Sequence, residues 1–327
     1  MSVAAFVTIA FMFAMYVMLD GYDLGVATVG ALIARGERDR SEAMASIGPF
    51  WNGNEVWLIA AAAALFALFP AAYAAAFSGF YLPFIIVLWL LMLRGIALEL
   101  REHFPSEVWH QFWDAAFAAS SALLIFVFGI ALGNLLRGVP LDAAGYFAGT
   151  FAFLLNPYAL LVGLFALATL AQHGAAFVAL RLDGDLGARA ARMLRRLWWA
   201  VLPLYLAVTA ATFAVHGSVA RWLLAMPLLS LAALAGVWWG ARSQRPERAF
   251  AMSLAFLATL LTAAAGTLFP YLLPAFPAGR RGISIFSAAP SPVALTCALT
   301  VTLGGIVIVG IYAPIVWRRM GGKLRAE

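Results

Sequence analysis

Pro49-Phe50-Trp51-Asn52-Gly53-Asn54-Glu55-Val56-Trp57 sets a carboxylate, two amides and two indoles at the mouth of an apolar segment. Upstream, Asp20-Gly21-Tyr22-Asp23 interrupts a second apolar run. Polar groups at bilayer depth are costly and are usually functional. The rest of the chain identifies the solvent. Of 327 residues, 65% are hydrophobic and only 11% charged, and mean hydropathy is +0.93. A soluble domain cannot hide that much apolar surface, and runs of about 20 apolar residues read as transmembrane helices. The expected fold is an all-α integral membrane protein, a single polytopic domain over 1–327.

The apolar runs predict nine transmembrane helices at 3–34, 54–76, 78–98, 113–136, 151–180, 197–215, 222–240, 249–273 and 294–317. The first is long for one crossing and should tilt or protrude. Phe69-Pro70-Ala71-Ala72-Tyr73 makes the second boundary soft, and Pro157 marks either a kink or the true start of the fifth helix. Segments 35–50, 99–112 and 181–196 read as polar connections, and the Pro- and Ser-rich 274–293 as an irregular cap. No basic residue precedes the first apolar run, so it is expected to be a retained helix and not a cleaved signal.

Charge orients the bundle. Arg35, Arg38, Arg40, Arg94, Arg101, Arg181, Arg189, Arg192, Arg195, Arg196, Arg242, Arg245, Arg248, Arg318, Arg319, Lys323 and Arg325 fall on one set of helix ends and loops. Arg137, Arg221, Arg280 and Arg281 fall on the other. Cytoplasmic loops are the Lys/Arg-rich ones. Nine helices then run with the N-terminus outside and the C-terminus inside; an eight-helix count scrambles the alternation. The net charge of +6 is thus a topology signal and not a nucleic-acid footprint.

Gly21-x-x-x-Gly25, Gly129-x-x-x-Gly133 and Gly145-x-x-x-Gly149 have spacings that permit close helix approach in lipid. Leu19-Asp20-Gly21-Tyr22-Asp23-Leu24-Gly25 is echoed by Leu182-Asp183-Gly184-Asp185-Leu186-Gly187, which is either chance or a sign of two halves. The halves would be 1–140 and 141–273, two four-helix bundles with 294–317 as an extra helix.

Asp20 lies about 26 Å along the first helix, in the inner part of the bilayer. Asp23 follows at i+3 on the same face. Glu55 opens the second helix on that side, and Arg94, Glu99 and Arg101 end the third there. Two readings stand side by side. Carboxylates in a bundle relay protons. Equally, Arg94 or Arg101 neutralises a carboxylate and Glu55 caps its helix. Glu99 and Arg101 lie near enough to the surface to read as a solvated pair. His103, His110, His173 and His216 offer no mid-membrane pair for haem, so no haem is expected on this chain, and His173 reads as a helix-end hydrogen bonder. Cys297, the one cysteine, excludes an intramolecular disulfide or a cysteine-cluster metal site and reads as a buried, inert thiol. Most tryptophans fall at helix ends, as in an interfacial belt; Trp51, beside the polar turn, is the exception. Nucleotide-binding and hydrolase motifs are absent.

These residues resemble subunit II of cytochrome bd-type quinol oxidases. The likeness is carried by Leu19 to Gly25, Pro49 to Trp57, Leu65 to Pro70 with Tyr73, and Phe77-Ser78-Gly79-Phe80-Tyr81. It continues through Leu93-Arg94-Gly95 with Arg101, Gly133-Asn134-Leu135-Leu136 with Gly138-Val139-Pro140, Leu155-Asn156-Pro157-Tyr158, and Gly174-Ala175 before Arg181. The resemblance implies a complex in the bacterial inner membrane that reduces O2 to water with electrons from quinol. It implies haem b and haem d-type or b-type centres on a partner subunit I, together with the quinol-oxidising loop. Subunit II would stabilise that partner and supply part of a cytoplasmic proton path. The resemblance leaves room for a small single-helix accessory subunit and for a structural quinone with no assigned site. It carries Asp20, Asp23, Asn52, Glu55 and Glu99 over as proton path or polar cluster, and Trp51, Asn54, Arg94 and Arg101 as structural or interface polar groups. Position 52 departs from the family, which commonly has Asp there; an amide orients water but carries no proton. Compact outer loops, 216–221 and the one holding Pro290-Ser291, hint at a cyanide-insensitive-type branch. The competing class is a proton- or ion-coupled transporter, which should place polar groups at midplane on broken helices.

Overall fold

The computed structural model describes residues 1–216, 224–277 and 282–323. Arg221, Arg280, Arg281, Arg325, the loop stretch 217–221 and the first two positions of the expected 222–240 helix, all used above, lie outside the described residues. Among the described residues the fold is helical apart from one small ribbon and two isolated bridges, Val139 with Ala275 and Leu141 with Phe147. Its helices are α1 (Ser2–Ile33), α2 (Glu37–Ile47), α3 (Trp51–Leu68), α4 (Pro70–Gly79), α5 (Tyr81–Leu100), α6 (Glu107–Arg137), α7 (Phe151–Leu154), α8 (Pro157–Arg181), α9 (Gly184–His216), α10 (Ala225–Arg242), α11 (Pro246–Leu268) and α12 (Pro292–Met320). Among the described residues seven helices are long and apolar enough to cross a membrane: α1, α5, α6, α8, α9, α11 and α12. The expected segments 54–76 and 222–240 meet α3 and α10, each of 18 residues.

Several boundaries differ from the sequence reading, for local reasons. The expected 54–76 helix ends at Leu68, because Phe69 leaves the helical region and Pro70 starts α4. Residues of α4 and its flank, Ala75 and Phe80, then pack on Val139, Leu141, Leu154 and Leu273 in the connecting segments. Pro157 is the true start of its helix: Asn156 caps α8 by accepting from the Ala159 N–H at 3.0 Å, with proline at the first turn, where its missing N–H costs nothing. The connection 35–50 contains α2, and most of 181–196 belongs to the 33-residue α9. The cap 274–293 contains β2 (Ile283–Ser284), which pairs antiparallel with β1 (Tyr271–Leu273) just before it. Gly145 and Gly149 lie in a loop, Gly145 at φ +87°, so their spacing is not a helix contact. The aspartate echo fails too: Asp20 is inside α1, whereas Gly184, at φ +71°, turns the chain between α8 and α9. Cys297 is exposed on the surface of α12, not buried.

Helix α1 organises the molecule. It packs against α3, α6, α8 and α11, while α5 packs on α6, α9 on α8, and α10 on α11. Asp20 through Ala27 are buried without a break, as are Thr169 through Val178 of α8. The two stretches cross at Gly25 and Gly174. A Cβ on Gly25 would lie 2.1 Å from the Leu170 carbonyl oxygen, and one on Gly174 would lie 2.1 Å from the Gly25 carbonyl carbon. Backbones this close need glycine at both positions, and in lipid such contact supplies much of the helix attachment. Beside the crossing, Tyr22 stacks on Phe177 with ring centroids 4.2 Å apart. A side chain at position 174 must push α8 off α1. Gly174→Leu should therefore cost at least the 1–3 kcal/mol or so of an overpacked core, read as a lower unfolding temperature and a smaller yield of folded protein; an unchanged unfolding temperature would contradict the crossing.

Candidate functional site

The polar residues of α1, α3 and α5 meet at one level. Arg94 of α5 donates to Asp20 through both terminal nitrogens, Nη2 to Oδ1 at 2.6 Å and Nη1 to Oδ2 at 3.1 Å. Both side chains are fully buried. A two-bond fork between guanidinium and carboxylate is the strong form of such a contact. Glu55 stands 3.8 Å from Arg94 Nη1 and remains one-fifth exposed. The Trp51 ring flanks the same guanidinium, its centroid 5.9 Å from Cζ. Arg94 is thus enclosed by two carboxylates and an indole, all from helices that begin or end on this side.

Asp23 is placed differently. Its Oδ2 accepts from Asn54 Nδ2 at 2.8 Å, and the same amide nitrogen donates to the Tyr22 hydroxyl at 2.7 Å. Its Oδ1 is buried and has no hydrogen-bond partner among the described residues. No arginine or lysine lies in ion-pair range of Asp23 among those residues. The i,i+3 pair therefore shares a face of α1 but not a fate: Asp20 is held by a fixed cation, Asp23 by an amide.

Arg101 belongs to a second network, two turns further along. It is buried and binds Asp114 Oδ1 at 2.7 Å, Glu37 Oε1 at 2.5 Å, Ser41 Oγ at 3.2 Å, and Glu102. Arg40 joins at Asp114 and His110 at Glu37, 3.4 and 2.8 Å away. The expected solvated Glu99–Arg101 pair is not formed, because Glu99 projects from another side of α5 and is exposed. Asn52 is exposed as well, and the amide that enters the cluster is Asn54. His173 does hydrogen-bond, but between helices: its ring nitrogens reach Ser253 Oγ at 2.7 Å and the Met18 carbonyl at 3.0 Å, and it stacks on Phe250. Sequence reasoning gave no role to Tyr22, Glu37 or Asp114. The signal for Asp114 was available: an acid inside an apolar helix, in a chain with 15 acids. Among the described residues no group of three or more His, Cys, Asp or Glu side chains could hold a metal ion.

A sequence profile described as cytochrome bd terminal oxidase subunit II matches residues 1–320. The chain belongs to that family. It is accordingly a multi-pass membrane subunit of a terminal oxidase, an oxidoreductase. Cytochrome bd-I ubiquinol oxidase subunit 2 of Escherichia coli strain K12 is 28% identical over 348 aligned residues, 95% of this chain and 92% of that relative. Cytochrome bd ubiquinol oxidase subunit 2 of Bacillus subtilis strain 168 is 37% identical over 205 residues, 63% of this chain and 61% of that one. In three dimensions the chain resembles the bd oxidase from Geobacillus thermodenitrificans, with a TM-score of 0.80 and 97% of each chain covered. At 18% identity that likeness is one of fold.

In this subunit II the Arg94–Asp20 fork ties α5 to α1. Removing one partner strands a buried charge, which costs about 3–5 kcal/mol, whereas replacing both costs far less. Asp20→Asn and Arg94→Gln alone should each lower the unfolding temperature strongly. The double variant should be more stable than the two losses summed, a coupling that a double-mutant cycle measures. Strict additivity would show that the fork does not hold the helices.

Proposed function

We propose that this chain is the haem-free subunit II of a quinol:oxygen oxidoreductase, and that it stabilises the haem-bearing subunit I and carries part of the proton path from the cytoplasm. The family match over residues 1–320 supports membership in a quinol oxidase; the proton role rests on Asp23. A carboxyl buried in a bundle, without a cation to fix its charge and with one oxygen unpartnered, can accept and release a proton. Asp20 cannot do so without breaking its fork to Arg94. Tyr22 and Asn54 position Asp23, and Glu55, one-fifth exposed, stands at the mouth as the proton donor. Asn52 and Glu99 take no part in this route.

We assign the haems to subunit I, as the family resemblance implies, where they would supply the electron transfer and the oxygen chemistry. An apolar cavity of about 540 Å³ runs between α1, α6, α8, α9 and α11, lined by Phe13, Val17, Phe128, Val162, Tyr205 and Leu261. Its chemistry suits the structural quinone that the resemblance allows. We further propose nine crossings by α1, α3, α5, α6, α8, α9, α10, α11 and α12. They form two four-helix groups plus α12, with the N-terminus outside, as supported by the Lys/Arg bias, in the bacterial inner membrane. Membership in an oxidase subunit family leaves the transporter reading without support.

Two measurements test this. Co-expression with a candidate subunit I should give a complex with haem absorbance; this chain purified alone with stoichiometric haem would overturn the assignment. In the assembled oxidase, Asp23→Asn should lower turnover and proton uptake together by about tenfold or more, with haem content unchanged. Asn52→Asp should leave both as they are. Full activity in the Asp23 variant removes that residue from the path.

A further inference from the structure

A second cavity, of about 260 Å³, lies between α1, α2 and α6. It is set where α1 ends and α6 begins, at the end of the bundle that the Lys/Arg bias assigns to the cytoplasm. Ala27, Gly30 and Ala34 of α1 line one side, and Arg40 of α2 with Gln111 and Asp114 of α6 line the other. The space exists because these α1 residues are among the smallest there are. One water molecule takes up about 30 Å³ in the liquid, and a polar cavity of this size holds several. Its cover, α2, is fastened by charges. Arg101 donates to Glu37 at 2.5 Å, Arg40 donates to Asp114 at 3.4 Å, and Arg189 binds Asp39.

The cavity ends about one helical turn short of Asp23. Ala27, Gly30 and Ala34 stand four, seven and eleven residues after Asp23, so all four share one stripe of α1. Ala27, on the cavity wall, lies about 6 Å from Asp23 along the helix axis. On α6 the lining reaches Phe117, and further along Leu124 packs in one cluster with Leu24. Ser121 lies between these two levels. Its hydroxyl is buried and has no hydrogen-bond partner among the described residues, and Asp23 Oδ1 is in the same state. Buried polar atoms are ordinarily satisfied by protein or by water. Two unpartnered oxygens therefore continue the line of the cavity along α1 and α6.

We propose that this cavity is a water inlet, separate from Glu55, that carries protons from the cytoplasm to Asp23 by way of Ser121. A hydronium in the cavity gives a proton to the Ser121 hydroxyl while that hydroxyl passes its own hydrogen to the Asp23 carboxylate. The hydronium is left as water, Ser121 ends as it began, and Asp23 becomes a carboxylic acid. Arg40 and Asp114 order the water at the entrance. The inlet rests on the proton reading of Asp23.

The test uses the assembled oxidase, with Cys297→Ser to remove this chain's one cysteine. Ala27→Cys and Val29→Cys are each treated from the cytoplasmic side with a small cationic methanethiosulfonate, and the mass of this chain is recorded. Both positions are buried, but only Ala27 lines the cavity. Ala27→Cys should be labelled and Val29→Cys should not; Ala27→Cys protected as fully as Val29→Cys overturns the inlet. A second measurement fills the space. A Cβ on Gly30 would lie 3.8 Å from the Ala43 Cβ, an ordinary contact, so Gly30→Leu starts without a clash. It should slow proton uptake and turnover. Combined with Glu55→Gln the loss should reach about tenfold or more, beyond the product of the two single losses, since each inlet covers for the other. Uptake that Gly30→Leu leaves unchanged in the Glu55→Gln oxidase also overturns the inlet. Labelling of Ala27→Cys together with full turnover in Asp23→Asn sustains the water inlet and overturns the Asp23 reading. Protection of Ala27→Cys together with slowed turnover in Asp23→Asn does the reverse.

Discussion

Arg94 and Asp20 lie wholly out of water and hold each other through two short hydrogen bonds. Such a pair contributes little net stability, because desolvating both ions offsets most of their attraction. What it does is fix register. Any rotation or slide of α5 along α1 would leave two unpaired ions in a low-dielectric interior, so only one alignment is tolerable. The same interaction sorts the neighbouring acids. With Arg94 committed to Asp20, the carboxylate three residues on has no cation, and Asn54 is left to hold it.

That arrangement needs α1 to be enclosed on all sides at this depth. The enclosure comes from Gly25 and Gly174, which bring α1 and α8 to backbone contact, and from the Tyr22–Phe177 stack beside them. A wider gap would admit water or lipid to the level of Asp20 and Asp23 and weaken the fork by solvation. Packing by the smallest residues therefore controls the electrostatics of the largest polar ones. His173, three residues after Leu170 on α8, adds a bond to the Met18 carbonyl and ties the same crossing to α11 through Ser253.

Hydropathy and Lys/Arg bias made the helical plan legible, because lipid selects long apolar runs whatever their packing. Rotation about each helix axis was not legible. At about 100° per residue, Asn52 points some 200° away from Asn54, so only one of the two amides can face α1. Glu99 likewise falls about 140° from Arg94 around α5, while Arg101 returns to nearly the same face about 10 Å along. Pattern alone could not say which of these faces was inward, since every face of α3 and α5 is largely apolar. The partners of Arg101 were hidden for a second reason: Glu37 lies in a segment that reads as a loop, and only the folding of α2 brings it within reach. The glycine spacings were half informative. Gly21 and Gly25 mark a true contact, but the mate of Gly25 is a lone glycine on α8, and Gly145 serves a turn.

Among the described residues, the buried side-chain atoms without a hydrogen-bond partner include a carboxyl oxygen of Asp23 and the guanidinium nitrogens of Arg181. They are opposite in character and would satisfy each other on contact. The chain prevents that. Tyr22 adjoins Asp23 in sequence, Phe177 precedes Arg181 by about one helical turn, and the stacked pair joins α1 to α8 there. A salt bridge between them would have been the simplest way to finish the core, and it would have fixed both charges. No ion pair of that kind forms among the described residues, and Asp23 is left to the Asn54 amide instead.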